Sequence, residues 1–270
     1  MKNHFFSGYC GNKRKEVEYI YEQINFKNID TIVEPFCGSC ALSYYIWTQN
    51  RTKDYKYILN DLDNELIELL QGVKDGRYEE INEEVNKMRL EILKYEDDMV
   101  KAKEIYLAYV KQQNIYSYLF RSRYCSMRPG LFPLRDFNRY FNDKTFNISL
   151  YPIFEFLTTA NIEIYNINGN EIIEKYNNAN SFIFLDPPYI ASCNQFYTND
   201  TNDNTGNIYE FLYHYKLKNF KSKILICHEN NWLFKILFKD YLKNEKEYEK
   251  KYQTCSKKQT THICVKNYKL

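Results

Sequence analysis

No apolar run in this 270-residue chain approaches the ~18 residues needed to cross a bilayer. The opening MKNHFFSGYCGNK also lacks the apolar core of a signal peptide. An intracellular protein without a membrane partner is therefore expected. Net charge is only +2, which excludes recognition of a polyanion by bulk charge and leaves that task to a local patch. There is no internal repeat and no low-complexity linker. The eight cysteines are scattered through a chain too long and too cysteine-poor for a disulfide scaffold. Cys37 and Cys40 have redox spacing, but no second pair exists to complete a zinc site, and no residue type demands a metal.

What is present is the composition of a soluble globular protein, long enough for one large domain or one domain with an insertion. Val17, Ile20, Tyr21 and Ile24 fall at helical spacing, after which Thr31-Ile32-Val33 reads as a short strand ending at Glu34-Pro35. A second helix is expected from about Ser39, carrying Leu42, Tyr45 and Ile46. Tyr57-Ile58-Leu59 is the next strand, stopped by Asn60-Asp61-Leu62-Asp63 and followed by a helix with Leu66, Leu69 and Leu70. Strand, turn, helix, repeated, is the rhythm of a parallel α/β sheet.

That rhythm breaks after residue 74. From about 77 to 112, Ile81, Val85, Met88, Ile92, Met99, Ile105, Tyr106 and Tyr109 lie on apolar helical faces, with Glu and Lys on solvated ones. Tyr116 to Phe146 is irregular and rich in aromatics, and five of the nine arginines fall between Arg121 and Arg139. Strands resume at Ile162-Glu163-Ile164, Phe182-Ile183-Phe184-Leu185, Lys223-Ile224-Leu225-Ile226-Cys227 and Ile263-Cys264-Val265. The simplest organisation is an α/β domain, 1–74 and 161–270, interrupted by a mainly helical module, 75–160.

In open α/β sheets, ligands bind beyond the carboxyl ends of the strands. Three such ends here are polar. Glu34-Pro35-Phe36-Cys37-Gly38 is a glycine turn into a helix, where backbone can approach a ligand or simply turn. At the second, Asp61 is suited to accept hydrogen bonds from a ribose, while Asp63 reads equally as a helix cap. The third, Asp186-Pro187-Pro188-Tyr189, is the specific one. Extended geometry before proline projects Asp186 from the strand end, and the fixed φ of the prolines aims the Pro187 carbonyl. Two acceptors thus converge beside an aromatic ring. An exocyclic amine with two N–H donors satisfies both, and Tyr189 offers a stacking face for the attached base. Holding both hydrogens turns the amine's delocalised lone pair toward an electrophile.

These residues resemble the DNA N6-adenine methyltransferases of the DNA adenine methylase type over nearly the whole chain. Tyr9-Cys10-Gly11-Asn12-Lys13 is similar to that family's N-terminal cofactor motif, Val33 to Gly38 to its glycine turn, and Ile58-Leu59-Asn60-Asp61 to its ribose-acid motif. Asp-Pro-Pro-Tyr is complete, and Ile263 to Tyr268 resembles the closing strand. The resemblance implies a class I S-adenosylmethionine-dependent fold, with a seven-stranded, mostly parallel sheet and an inserted helical target-recognition domain. It also implies methyl transfer from S-adenosylmethionine to N6 of an adenine flipped out of duplex DNA. Carried over by position, Tyr9, Gly11 and Lys13 line the methionine side of the cofactor. Glu34, Pro35, Phe36, Cys37 and Gly38 pass beneath it, Asp61 and Leu62 meet the ribose, and Asn168 and Asn170 stand where a helper acid faces the cofactor adenine. Asp186, Pro187, Pro188 and Tyr189 are the catalytic set, with Asp186 also beside the cofactor. DNA contacts fall on Arg121, Arg123, Tyr124, Ser126, Arg128 and Arg135 in the inserted module, and on Gln195 and Tyr197 after the catalytic motif.

Departures from the family pattern are Cys40, where a second glycine is usual, Asn12, where a glycine pair is usual, and the residues around Arg128, so that the target sequence is not assumed to be GATC. An RNA base methyltransferase and a catalytically inactive nucleic-acid-binding homologue are the alternative readings. A restriction endonuclease acting on the same target is the partner that such an enzyme can have. Asp186→Ala is expected to abolish methyl transfer while leaving cofactor binding mostly intact, as measured by labelled-methyl incorporation beside calorimetric titration of S-adenosylmethionine.

Overall fold

The computed structural model describes residues 5, 12–124, 132–133, 137, 141, 145–189, 205–244, 246–251 and 259–270. Five strands pair in parallel: β1 (Thr31–Glu34), β2 (Lys56–Asn60), β3 (Ile162–Tyr165), β4 (Ser181–Leu185) and β5 (Lys223–Glu229). β7 (Gln259–Lys266) runs antiparallel to β5, and β6 (Lys246–Lys251) runs antiparallel to β7. The order across the sheet is β3-β2-β1-β4-β5-β7-β6. The mostly parallel α/β sheet that the rhythm predicts is thus present. β6 is the strand that the pattern does not announce: its residues KEYEKK carry no apolar alternation, and it joins the sheet at the edge, where charge is tolerated and guards against further pairing.

β4 lies at the middle of this order with all five residues buried. A strand covered on both faces reads as a continuous apolar run, which is why SFIFL has no alternation. The chain leaves β1 toward β2 and β3 on one side and returns to β4 on the other, so the topological switch point falls between β1 and β4.

The chain divides into two compact units. The sheet unit comprises Asn12–Leu62 and Asn161–Leu270. Its helices are α1 (Val17–Tyr21), α2 (Ala41–Gln49), α8 (Gly169–Lys175), α9 (Thr205–Tyr215) and α10 (Trp232–Leu237). Its core joins Val33, Ile58, Ile183, Leu185, Ile224, Ile226, Ile263 and Val265 of the strands to Ile172, Leu212 and Phe234 of the helices.

The helical unit includes Asp63–Ala160. Its helices are α3 (Asn64–Lys74), α4 (Tyr78–Leu93), α5 (Met99–Val110), α6 (Ile115–Arg123) and α7 (Ile153–Thr159). The long segment of this unit starts at Asp63, whereas the sequence rhythm assigns residues through 74 to the α/β domain. The reason is that the Leu66, Leu69 and Leu70 face of α3 is buried and α3 packs on α6 and α7. Caps recur at these helix starts: Asp63 accepts from the Leu66 N–H, Asp98 from Lys101 and Asn114 from Ser117. Among the described residues, no helix is long and apolar enough to cross a membrane.

Ile183→Ala, at a fully buried position of the central strand, is expected to cost about 2–5 kcal/mol of unfolding free energy, measured by urea denaturation.

Candidate active site

The polar ends of β1, β2, β3 and β4 all leave the same edge of the sheet, because these four strands are parallel neighbours. At the end of β1, Glu34 is buried and its Oε1 accepts from the Ser43 N–H of α2 at 2.8 Å. Burial pushes its pKa up to about 7, against the opposing hydrogen bonds from Ser43. Gly38 then takes a left-handed φ of 46°, and Cys40 another of 53°. A left-handed conformation costs a non-glycine residue about 1 kcal/mol, which gives a physical reason for a second glycine at this place in the family pattern. Cys40 is fully buried, and burial raises both the Cys37 and Cys40 thiols above their ordinary range, so neither has the thiolate character of a redox pair.

At the end of β2, Asp61 Oδ2 accepts from the Gly38 N–H at 3.0 Å, which sets the carboxylate over the glycine turn. Asp63 is the helix cap described above, so the two acids of this turn have separate roles. Leu62 is half exposed. Asn60, fully buried, is the joint of the whole edge. Its Nδ2 donates to the Pro35 carbonyl at 2.8 Å and to the Ile167 carbonyl at 3.0 Å, its Oδ1 accepts from the Ile167 N–H at 3.0 Å, and its own carbonyl accepts from the Cys37 N–H at 2.8 Å. One side chain therefore ties the turns after β1 and β3 to the end of β2.

After β3, Asn168 caps α8 by accepting from the Asn170 N–H at 2.9 Å. Gly169 between them lies under the Phe36 ring. A Cβ there would sit 2.8 Å from Phe36 Cζ, so glycine is required for the ring to lie where it does. Phe36, Asn168 and Asn170 are thereby brought to one place, beside the turns after β1 and β2 that Gly38 and Asp61 join.

At the end of β4, Asp186 Oδ2 is 2.5 Å from Lys13 Nζ, and Lys13 is only 6% exposed. Burial opposes the charge on Lys13, but attraction to Asp186, with smaller contributions from Tyr189 and Glu16, holds its pKa well above the ordinary range. Pro187 is buried. The Pro188 carbonyl accepts from the Tyr209 hydroxyl of α9 at 3.0 Å. The Tyr189 ring lies 4.9 Å from His228 and edge-on to His262 at 5.3 Å, with Lys13 Nζ 5.4 Å from its centroid.

This arrangement fits a nucleoside-containing methyl donor. It offers a carboxylate able to accept from a pair of hydroxyls, a ring and amides able to meet a base, and a glycine turn without a side chain in the way. Among the described residues, no group of His, Cys, Asp and Glu could hold a metal ion. Residues 9–254 match the family model described as D12 class N6 adenine-specific DNA methyltransferase. The chain belongs to this family. The methyltransferase is 26% identical over 295 aligned residues to the "Type II methyltransferase M.CviBI" of Paramecium bursaria Chlorella virus NC1A, covering 96% of this chain and 98% of that relative. It is 27% identical over 208 residues to the "Type II methyltransferase M.MjaIII" of Methanocaldococcus jannaschii, covering 68% of each. Membership makes the protein a site-specific methyltransferase that uses S-adenosylmethionine to methylate adenine N6 in double-stranded DNA, and the RNA alternative falls away.

Of the remaining site residues predicted from the sequence, Tyr9, Gly11, Ser126, Arg128, Arg135, Gln195 and Tyr197 lie outside the described residues. Arg121, Arg123 and Tyr124 belong to the helical unit, where all three are engaged internally. Arg121 pairs with Glu65, and its guanidinium lies 5.0 Å from the Tyr118 ring. Arg123 donates to the Tyr151 hydroxyl at 2.6 Å and packs 4.5 Å from the Phe146 ring centre. Tyr124 is 2% exposed and stacks on Phe141. Sequence reasoning missed Asn60 as a joint, and Glu16, Tyr209, His228 and His262 around the catalytic strand end. Two of the four histidines of the chain meeting at one tyrosine is a signal only after folding, since 73 residues separate Tyr189 from His262.

Asn60→Ala removes three side-chain hydrogen bonds at once. It is expected to cost about 1–3 kcal/mol of stability and to weaken S-adenosylmethionine binding about tenfold, measured by denaturation and calorimetric titration.

Proposed function

We propose that methyl transfer takes place at the carboxyl end of β4, with Asp186 and the Pro187 carbonyl accepting the two N–H bonds of the adenine N6 amine and Tyr189 stacking on the base. The observation that carries this reading is the Lys13–Asp186 ion pair at the topological switch point, with Lys13 buried and Asp186 partly so. Lys13 holds one oxygen of the Asp186 side chain in place, and a carboxylate oxygen beside an ammonium is an acceptor for the amine hydrogens. The pair directs the amine lone pair away from the aromatic ring of the base and toward the methyl donor. S-adenosylmethionine supplies an electrophilic methyl on sulfur. Asp61 takes the ribose hydroxyls. Phe36 with Gly38 forms the floor, and Asn168 and Asn170 face the cofactor adenine. As the N6–methyl bond forms, the methyl–sulfur bond would break and leave its electron pair on sulfur as a neutral thioether, while the proton that the amine loses would pass to the carboxylate of Asp186 or to water.

The helical unit reads the target. Arg128, Arg135 and Ser126 supply its contacts to DNA, with Gln195 and Tyr197 from the segment that follows the catalytic motif. Engagement of Arg121 with Glu65 and of Arg123 with Tyr151 supports a framing role for these two, in which they hold α6 in place. Against the inactive-homologue reading stands the complete Asp-Pro-Pro-Tyr end and a turn that accommodates Cys40. The shared Type II description of both relatives supports a restriction endonuclease with the same target as the enzyme's partner, and an intracellular location with the DNA.

Incubating the protein with S-adenosylmethionine and random-sequence duplex DNA, then mapping N6-methyladenine, is expected to return one short target sequence. Absence of modified adenines, or modification without sequence preference, would overturn this reading.

A further inference from the structure

Glu16 occupies the cap position of α1 but makes no capping hydrogen bond. It is nonetheless only 5% exposed. An acid buried this way is costly unless it has partners, and the geometry supplies them. Its Oε2 lies 3.5 Å from His262 Nδ1, and its charge helps to hold Lys13 protonated. His262, fully buried on β7, also places Nδ1 3.4 Å from the Tyr189 hydroxyl, with its ring edge-on to Tyr189 at 86°. His262 Nδ1 thus faces both the Glu16 carboxylate and the Tyr189 hydroxyl oxygen. On the other side of Tyr189, His228 donates from Nδ1 to the Glu229 carbonyl at 2.6 Å and stacks on Phe234 at 4.4 Å. Burial lowers its pKa to about 4, so it backs the tyrosine as a neutral ring.

We propose that Glu16 and His262 are positioning residues for methyl transfer, a buried pair that fixes the Tyr189 ring and Lys13 and, through Lys13, the carboxylate of Asp186. This rests on the assignment of Asp186 to Tyr189 as the transfer centre. The pair belongs to none of the strand-end motifs. It joins α1 and the antiparallel strand β7 to the end of β4, so that the stacking face and the acceptor are oriented before either substrate arrives. Rigid support of this kind matters because misplacement by an ångström costs rate and not binding.

The test is steady-state methyl transfer to unmethylated random-sequence duplex DNA by Glu16→Gln, His262→Phe and His262→Gln, each with a thermal melt and a calorimetric titration of S-adenosylmethionine. Glu16→Gln and His262→Phe are expected to lower kcat about tenfold or more with KM for S-adenosylmethionine unchanged within about twofold. His262→Gln keeps an N–H donor and is expected to recover most of the lost kcat, and Glu16→Gln combined with His262→Phe should be no worse than the weaker single variant, as for groups acting together. Wild-type kcat in both Glu16→Gln and His262→Phe overturns the proposal. So does a kcat loss that tracks loss of folding or of cofactor binding. Asp186→Ala runs alongside: if it retains turnover, the transfer-centre assignment fails instead.

Discussion

The site depends on β1 and β4 lying side by side and parallel. Thr31, Ile32 and Val33 pair in turn with Ser181, Phe182 and Ile183, so β4 ends one residue beyond β1. That register sets the glycine turn after β1 next to Asp186, and every later contact follows from it. Neither strand offers a hydrogen-bonding choice along its length, because both are buried between neighbours. The chemistry is therefore confined to the ends, where backbone leaves the ladder and side chains can face a ligand.

Around this pair the protein arranges its charges sparingly. A buried lysine beside a partly buried carboxylate is stable only when the geometry is close and other groups share the field, as Glu16 and Tyr189 do here. Asn60 performs the neutral counterpart of this task on the cofactor side, saturating carbonyls that two turns would otherwise leave buried. Rigidity on both sides suits a reaction in which the cofactor brings the reactive group and the protein contributes alignment.

Much of the sheet was legible in the chain. Six strands coincide with apolar runs, because burial on both faces leaves a direct compositional trace. β6 left no such trace, since an edge strand of lysines and glutamates needs only backbone pairing to join a sheet. The place of α3 in the helical unit was equally hidden: its apolar face shows that it packs, but not against what. The arginines from Arg121 onward illustrate the same limit. Their clustering is a property of the sequence, whereas the pairing of Arg121 with Glu65, 56 positions away, is not.

The sequence by itself determined the α/β rhythm and the Asp-Pro-Pro-Tyr end of β4, because proline geometry, strand periodicity and turn chemistry act within a few neighbouring residues. Only the tertiary structure decided that Asn60 ties two turns to the end of β2, that Cys40 takes a left-handed turn, and that Glu16 meets His262 and His262 meets Tyr189. These are contacts between segments brought together by burial of the core, and no local rule along the chain specifies which distant polar groups that burial will make neighbours.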